Sequence, residues 1–113
     1  MKELLTTLRK ESSLPCGIKI RLGLNEAEKN HKVYLRIIEI ANEVGLDYVT
    51  VHAKTAADAS TAPIDWKALQ EIIAKARIPI VGNGLVGDGP SAKRMVDLGC
   101  SAVMIARAAV GNP

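Results

Sequence analysis

Four short stretches alternate apolar with polar residues or run through β-branched ones: Gly17–Leu22, Asp47–His52, Ile78–Asn83 and Ser101–Ala106. Each reads as a strand. Their starts lie 30, 31 and 23 residues apart, the spacing of βαβ units. Between them the apolar period lengthens to that of a helix. Tyr34, Ile37, Ile38 and Ala41 share one helical face, and Gly45 follows as a stop. Leu69, Ile72, Ile73 and Ala76 repeat the pattern, with Asp65 placed to cap it. Pro90 suits the first turn of a third helix that Gly99 ends. Leu4, Leu5 and Leu8 predict an opening helix, and a short helical turn is expected near Arg107. The order is α-β-α-β-α-β-α-β. A weak repeat supports it: Gly45–Val51 and Gly99–Ile105 each place a strand just after a helix-ending glycine.

Successive strand residues face opposite ways. In the first strand Ile18, Ile20 and Leu22 share one face, and Lys19 and Arg21 the other. In the second, Val49 and Val51 oppose Tyr48, Thr50 and His52. In the third, Ile78 and Ile80 oppose Val81 and Asn83. An open sheet covered on both sides favours strands apolar on both faces. Charges at Lys19 and Arg21 instead favour a (β/α) barrel, whose inward face turns polar at the strands' C-terminal ends. A solvated edge strand is the plainer alternative. A whole barrel takes about 250 residues and eight strands. These 113 residues therefore predict one α/β domain, 1–113, equal to half a TIM (β/α)8 barrel of four parallel βα units. The inner face is expected to be completed by a second copy, as a homodimer, or by a missing N-terminal half.

Composition changes little. Hydrophobic residues make up 48% and charged residues 24%, ordinary for a globular chain, so disorder is not expected. With 3% aromatics and no Phe, the core must be aliphatic. No apolar run reaches the roughly 20 residues of a membrane span, and the first ten residues lack a signal-peptide centre. Cys16 and Cys100 form no disulfide framework or metal spacing, so a reduced, cytoplasmic protein is expected. The net charge of +3 permits an anionic partner without requiring one.

Five pieces in order carry a resemblance: Lys19-Ile20-Arg21-Leu22-Gly23, Val51-His52-Ala53-Lys54-Thr55, Asp65-Trp66, Ile80-Val81-Gly82-Asn83-Gly84, and Gly99 through Met104-Ile105-Ala106-Arg107 to Gly111-Asn112-Pro113. The chain resembles the second half of the tRNA-dihydrouridine synthases, FMN-dependent (β/α)8 barrels that reduce uridine in tRNA with NADPH. The resemblance implies that Lys19 contacts the flavin near N1 and O2. It brings His52 to the ring, and Asn83, Gly84, Ala106 and Arg107 to the phosphate. Arg21 and Lys54 become substrate-binding residues. A cation near N1 and O2 favours negative charge on a reduced flavin, and small residues after the last strands let backbone N–H groups approach phosphate. Lys54 stands where the family usually has Arg, Leu85 where it has Asp, and Ala106 where it has Gly. The family's catalytic Cys lies upstream of this segment, and neither Cys16 nor Cys100 matches it. No catalytic residue is therefore assigned here.

The resemblance thus implies an FMN-binding oxidoreductase fragment, incomplete alone. Two other readings follow from the residues: a non-catalytic homodimerising module, or a phosphate-binding barrel half without flavin. tRNA is a weakly supported partner, since no basic patch stands out. Trp66 is expected to pack a helix, His31 to lie on the surface, and both cysteines to be inert. Gly82, Gly84, Gly87 and Gly89, after a strand and before a helix, are candidates for a phosphate role beside plain turns.

Overall fold

The computed structural model describes residues 2–59, 62–84, 86 and 88–105. The elements are α1 (Lys2–Glu11), β1 (Gly17–Arg21), α2 (Glu26–Asn30), α3 (Val33–Val44), β2 (Tyr48–His52), α4 (Trp66–Lys75), β3 (Ile80–Asn83), α5 (Gly89–Leu98) and β4 (Ala102–Met104). The strands form one parallel sheet in the order β1-β2-β3-β4. This is a half-barrel arrangement of βα units.

The predicted two-faced strands are present. Ile20, Leu22, Val49, Val51 and Ile80 are buried against the helices with Ile38, Ala41, Leu69, Ile72 and Met95. Lys19 and Arg21 are exposed on the opposite side. Gly82 belongs to the packed side. A methyl group there would overlap the Met95 sulfur and lie 2.9 Å from the Cys100 Sγ. The absent side chain at Gly82 thus lets α5 approach β3.

The strands are shorter than the alternation predicts, for local reasons. Asp47 precedes β2 because its carboxylate accepts hydrogen bonds from the Cys16 N–H and from Arg9, both at 2.6 Å. That staple ties the entries of β1 and β2 to the end of α1. Pro79 cannot donate to a ladder, and its carbonyl accepts from the Val49 N–H at 3.1 Å. Beyond Arg21 the pairing continues without regular strand, from Leu22 N–H to the Lys54 carbonyl at 3.0 Å. The expected end of the fourth strand, Ala106, and the helical turn near Arg107 lie outside the described residues.

The helix signals hold at their ends. Asp65 caps α4 by accepting from the Ala68 N–H at 3.0 Å, and Gly45 ends α3 with φ +77°. Asn42 closes the other end of α4, donating to the Lys75 carbonyl and accepting from the Arg77 N–H. The opening helix forms, but only Leu5 of its three leucines is buried; Leu4 and Leu8 are exposed. Helix α2 was not predicted. It is five residues long and buries no side chain, so it has no apolar period to read. Its start was nonetheless written in Asn25-x-x-Glu28: Asn25 accepts from the Glu28 N–H, and Glu28 accepts from the Leu24 N–H.

These carboxylates give the fold an acid limit. Backbone donation from Cys16 and the Arg9 guanidinium hold Asp47 below its ordinary 3.8. Burial pushes Asp65 up, but the Lys29 ammonium and the Ala68 N–H outweigh it and leave Asp65 lowered. A carboxylate lowered in the folded state stabilises it above the unfolded pKa, and that contribution is lost as pH falls through the folded value. Unfolding midpoints in urea are therefore expected to be level above about pH 5 and to drop steadily below about pH 4. The Asp47→Asn variant is expected to show a shallower acid slope than the parent. Identical slopes would show that this staple does not set the limit.

Candidate functional site

Strand register assembles the site. Lys19 pairs with Thr50, Thr50 with Val81 and Val81 with Ala102; one step on, Arg21 pairs with His52, His52 with Asn83 and Asn83 with Met104. Two rows of side chains thus cross the sheet on the face away from the helices. The second row lies at the strands' C-terminal ends, where barrel sites form. From Arg21 to Asn83 it spans two strand spacings, about 10 Å, the length of a planar tricyclic ring. Neither row contains an Asp or Glu. Among the described residues no carboxylate forms an ion pair with Lys19 or Arg21, whereas Lys2, Arg9, Lys29, Lys32, Lys75 and Lys93 all have such partners. The face is basic and uncompensated.

Gly84 shapes the centre of the second row. Its φ is +117°, and a methyl group there would meet the His52 ring at 2.7 and 2.9 Å and overlap Ile64. Glycine is required both by the backbone and by the close approach of the imidazole. Asn83 is buried, and its Nδ2 donates to the Met104 sulfur at 3.1 Å. Met104 was read as part of the fourth strand and of the last motif, but not as a site residue. Carrying the alternation of the fourth strand across the sheet would have placed it on this face. Tyr48 lies lower on the same face, its ring covering Gly17. Gly84→Ala is expected to cost about 1–3 kcal/mol through strain and to move the His52 ring. Urea unfolding and the His52 ring proton shifts measure the two effects. Unchanged shifts would separate Gly84 from the row.

The loop after β2 closes one side of the site. Ala56 and Ala57 N–H groups donate to the Gly23 and Leu24 carbonyls, carrying the β1–β2 pairing into the loops. Thr55 N–H donates to Asp58, and Lys29 forms a 2.8 Å ion pair with Asp65. Lys54 is only 2% exposed, and its ammonium donates to the Ala59 carbonyl at 3.2 Å. The structure thus places Lys54 inside this loop, apart from the exposed cations Lys19 and Arg21.

The other end of the face is arranged differently from the glycine-based expectation. Asp88 caps α5, accepting from the Ser91 N–H at 2.8 Å and the Ser91 hydroxyl at 2.7 Å. These bonds hold its carboxyl below the usual range. A carboxylate already occupies the positive end of α5, which disfavours an anion there. Of the glycines considered, Gly84 remains beside the row; Gly89 begins α5 with open space around it, and Gly87 lies outside the described residues. Ala106 and Arg107, expected at the phosphate, and Leu85 also lie outside them.

Cys16 and Cys100 are buried, and burial pushes the Cys100 thiol up, away from nucleophilic chemistry. His31 is exposed at the end of α2. Trp66 packs against the core under the Arg94 guanidinium, 3.9 Å from the ring centre. Among the described residues no three His, Cys, Asp or Glu side chains converge as a metal set, and no helix is long and apolar enough to cross a membrane. The donors on the face are two cations, an imidazole, a buried amide and the backbone of a left-handed glycine. That set fits a planar anionic ligand such as FMN, since its cations have no internal carboxylate to compete.

The fold is shared with known proteins. The architecture is shared with a YdjI aldolase of Escherichia coli K12 (TM-score 0.55, 17% identity, 94% of this chain and 40% of that one). It is also shared with a mandelate oxidase carrying an FMN adduct (TM-score 0.55, 16% identity, 90% of this chain and 42% of that one). At these identities the likeness concerns the fold. In sequence, the chain is 32% identical over 114 residues to tRNA-dihydrouridine synthase B of Klebsiella pneumoniae, covering all of this chain and 35% of that protein. It is 35% identical over 102 residues to tRNA-dihydrouridine(16) synthase of Shigella flexneri, covering 88% of this chain and 31% of that protein. The chain thus spans about a third of the length of these relatives. The family model for dihydrouridine synthase matches residues 1–113, and the chain belongs to that family.

Proposed function

We propose that this chain forms the flavin- and substrate-facing wall of a dihydrouridine synthase barrel. The observation that carries the reading is the Arg21–His52–Asn83 row above Lys19, on a face without carboxylates. The chemistry FMN supplies when bound is hydride transfer, from NADPH to the uracil ring of a tRNA uridine. Lys19 would hold negative charge at the N1 and O2 edge. His52, held against Gly84, would set the position of the ring. Asn83, Gly84, Ala106 and Arg107 would receive the phosphate, Arg107 with a bidentate contact. Arg21 presents a planar fork to the substrate's carbonyl or phosphate oxygens. Lys54 would serve the substrate side by holding the β2–α4 loop in shape. No proton donor to uracil is assigned, because both cysteines are buried. Reduction of a tRNA uridine by this chain would need that donor from outside these residues.

The reading is tested by titrating FMN with the purified protein and following flavin fluorescence. Saturable, equimolar quenching is expected. Undiminished fluorescence at high protein concentration would reject the flavin site, and the family membership would then describe ancestry alone.

A further inference from the structure

We propose that Met104 is a site of sulfoxidation by peroxide, and that its sulfoxide oxygen takes the Asn83 side-chain amide away from the ligand. Asn83 ends β3 and is only 6% exposed. Its Nδ2 donates at 3.1 Å to the sulfur of Met104, its neighbour in the parallel register with β4. A thioether is a weak acceptor. Such a bond stabilises little, so a stronger acceptor displaces it. In the proposed function that acceptor belongs to FMN. The effect on FMN rests on that reading; the oxidation and the capture of the amide do not.

Accessibility separates the methionines. Met104 is 38% exposed and stands in the second row, at the strands' C-terminal ends. A barrel admits its ligand from that end, and a path wide enough for a ligand admits hydrogen peroxide. Met95 is 1% exposed, enclosed between α5 and Gly82 of β3. Met1 lies outside the described residues.

The step needs only the peroxide. A lone pair of the Met104 sulfur attacks one peroxide oxygen, the O–O bond breaks, and the sulfur keeps the attacked oxygen. The proton on that oxygen passes to the departing hydroxide, which leaves as water. The sulfur is oxidised by two electrons and the peroxide reduced by two. A flexible apolar side chain becomes a polar one with a strong acceptor oxygen, placed next to the Asn83 N–H.

Treating the full chain with hydrogen peroxide, in the absence of flavin, and mapping its peptides by mass tests the site. Met104 is expected to gain one oxygen at least about tenfold faster than Met95, which reacts only when the packed layer opens. In isotope-labelled protein the Asn83 side-chain amide signals are expected to move in step with that gain. In Met104→Leu the same dose should leave them in place. Met104 oxidised no faster than Met95 would overturn the proposal, and so would Asn83 signals that stay fixed while Met104 is oxidised. These readouts involve no flavin, so they are independent of the FMN titration. Where the parent chain binds FMN, the oxidised chain is expected to bind it at least about tenfold more weakly. Equal affinity would overturn the competition for Asn83.

Discussion

Replacing Lys19 by Gln is expected to weaken FMN binding by about tenfold to a hundredfold, whereas Arg21→Gln, on the substrate side, should leave it nearly unchanged. Lys19 loses a hydrogen bond to a charged group, worth roughly 1.5–3 kcal/mol, and each 1.4 kcal/mol is tenfold in affinity. The side chain is exposed, so salt screening places the result toward the lower figure, and the loss should shrink as salt rises. The fold should not suffer. Lys19 has no ion-pair partner among the described residues to lose, and removing one of two like charges from this face relieves repulsion. Fluorescence titration reads the affinity, and thermal unfolding checks that the variant is intact. Unchanged affinity in a folded Lys19→Gln variant would move the flavin off this face.

Leu69→Ala is expected to destabilise the chain by about 2–5 kcal/mol, the range for buried leucines that leave a cavity. Leu69 is 0% exposed on α4, in the layer between helices and sheet. Small domains hold only about 5–15 kcal/mol in total, so this one truncation removes much of the margin. The melting point should fall by about 4–8 °C for each kcal/mol lost. Leu4→Ala serves as the contrast. Leu4 is 70% exposed on α1, and its loss should stay within about 0.5 kcal/mol. Urea unfolding of both variants makes the comparison. Equal effects would mean that the helix layer is not the main source of stability.

Much of the fold was legible because its cause is local. Alternation in GIKIR and YVTVH separated the helix-facing residues from Lys19, Arg21, Thr50 and His52 before any packing was known, since a strand repeats every two residues. Asp65 and Pro90 marked helix starts because caps act within one turn. The five ordered motifs likewise pointed to the family that the comparisons show.

Other features depended on segments distant in sequence. Only parallel register aligned Arg21, His52 and Asn83 in one row, because hydrogen bonding between strands, not alternation within one, sets which residues stand side by side. Lys54 looked like one more cation for the substrate. The paired loops after β1 and β2 bury it and turn its ammonium to Ala59. Gly82 and Gly84 were alike as letters, yet one faces α5 and the other His52. The sequence by itself determined which residues face the helices and which face the opening. Tertiary structure decided which of the latter meet, because only packing between distant segments brings their side chains within reach of one another.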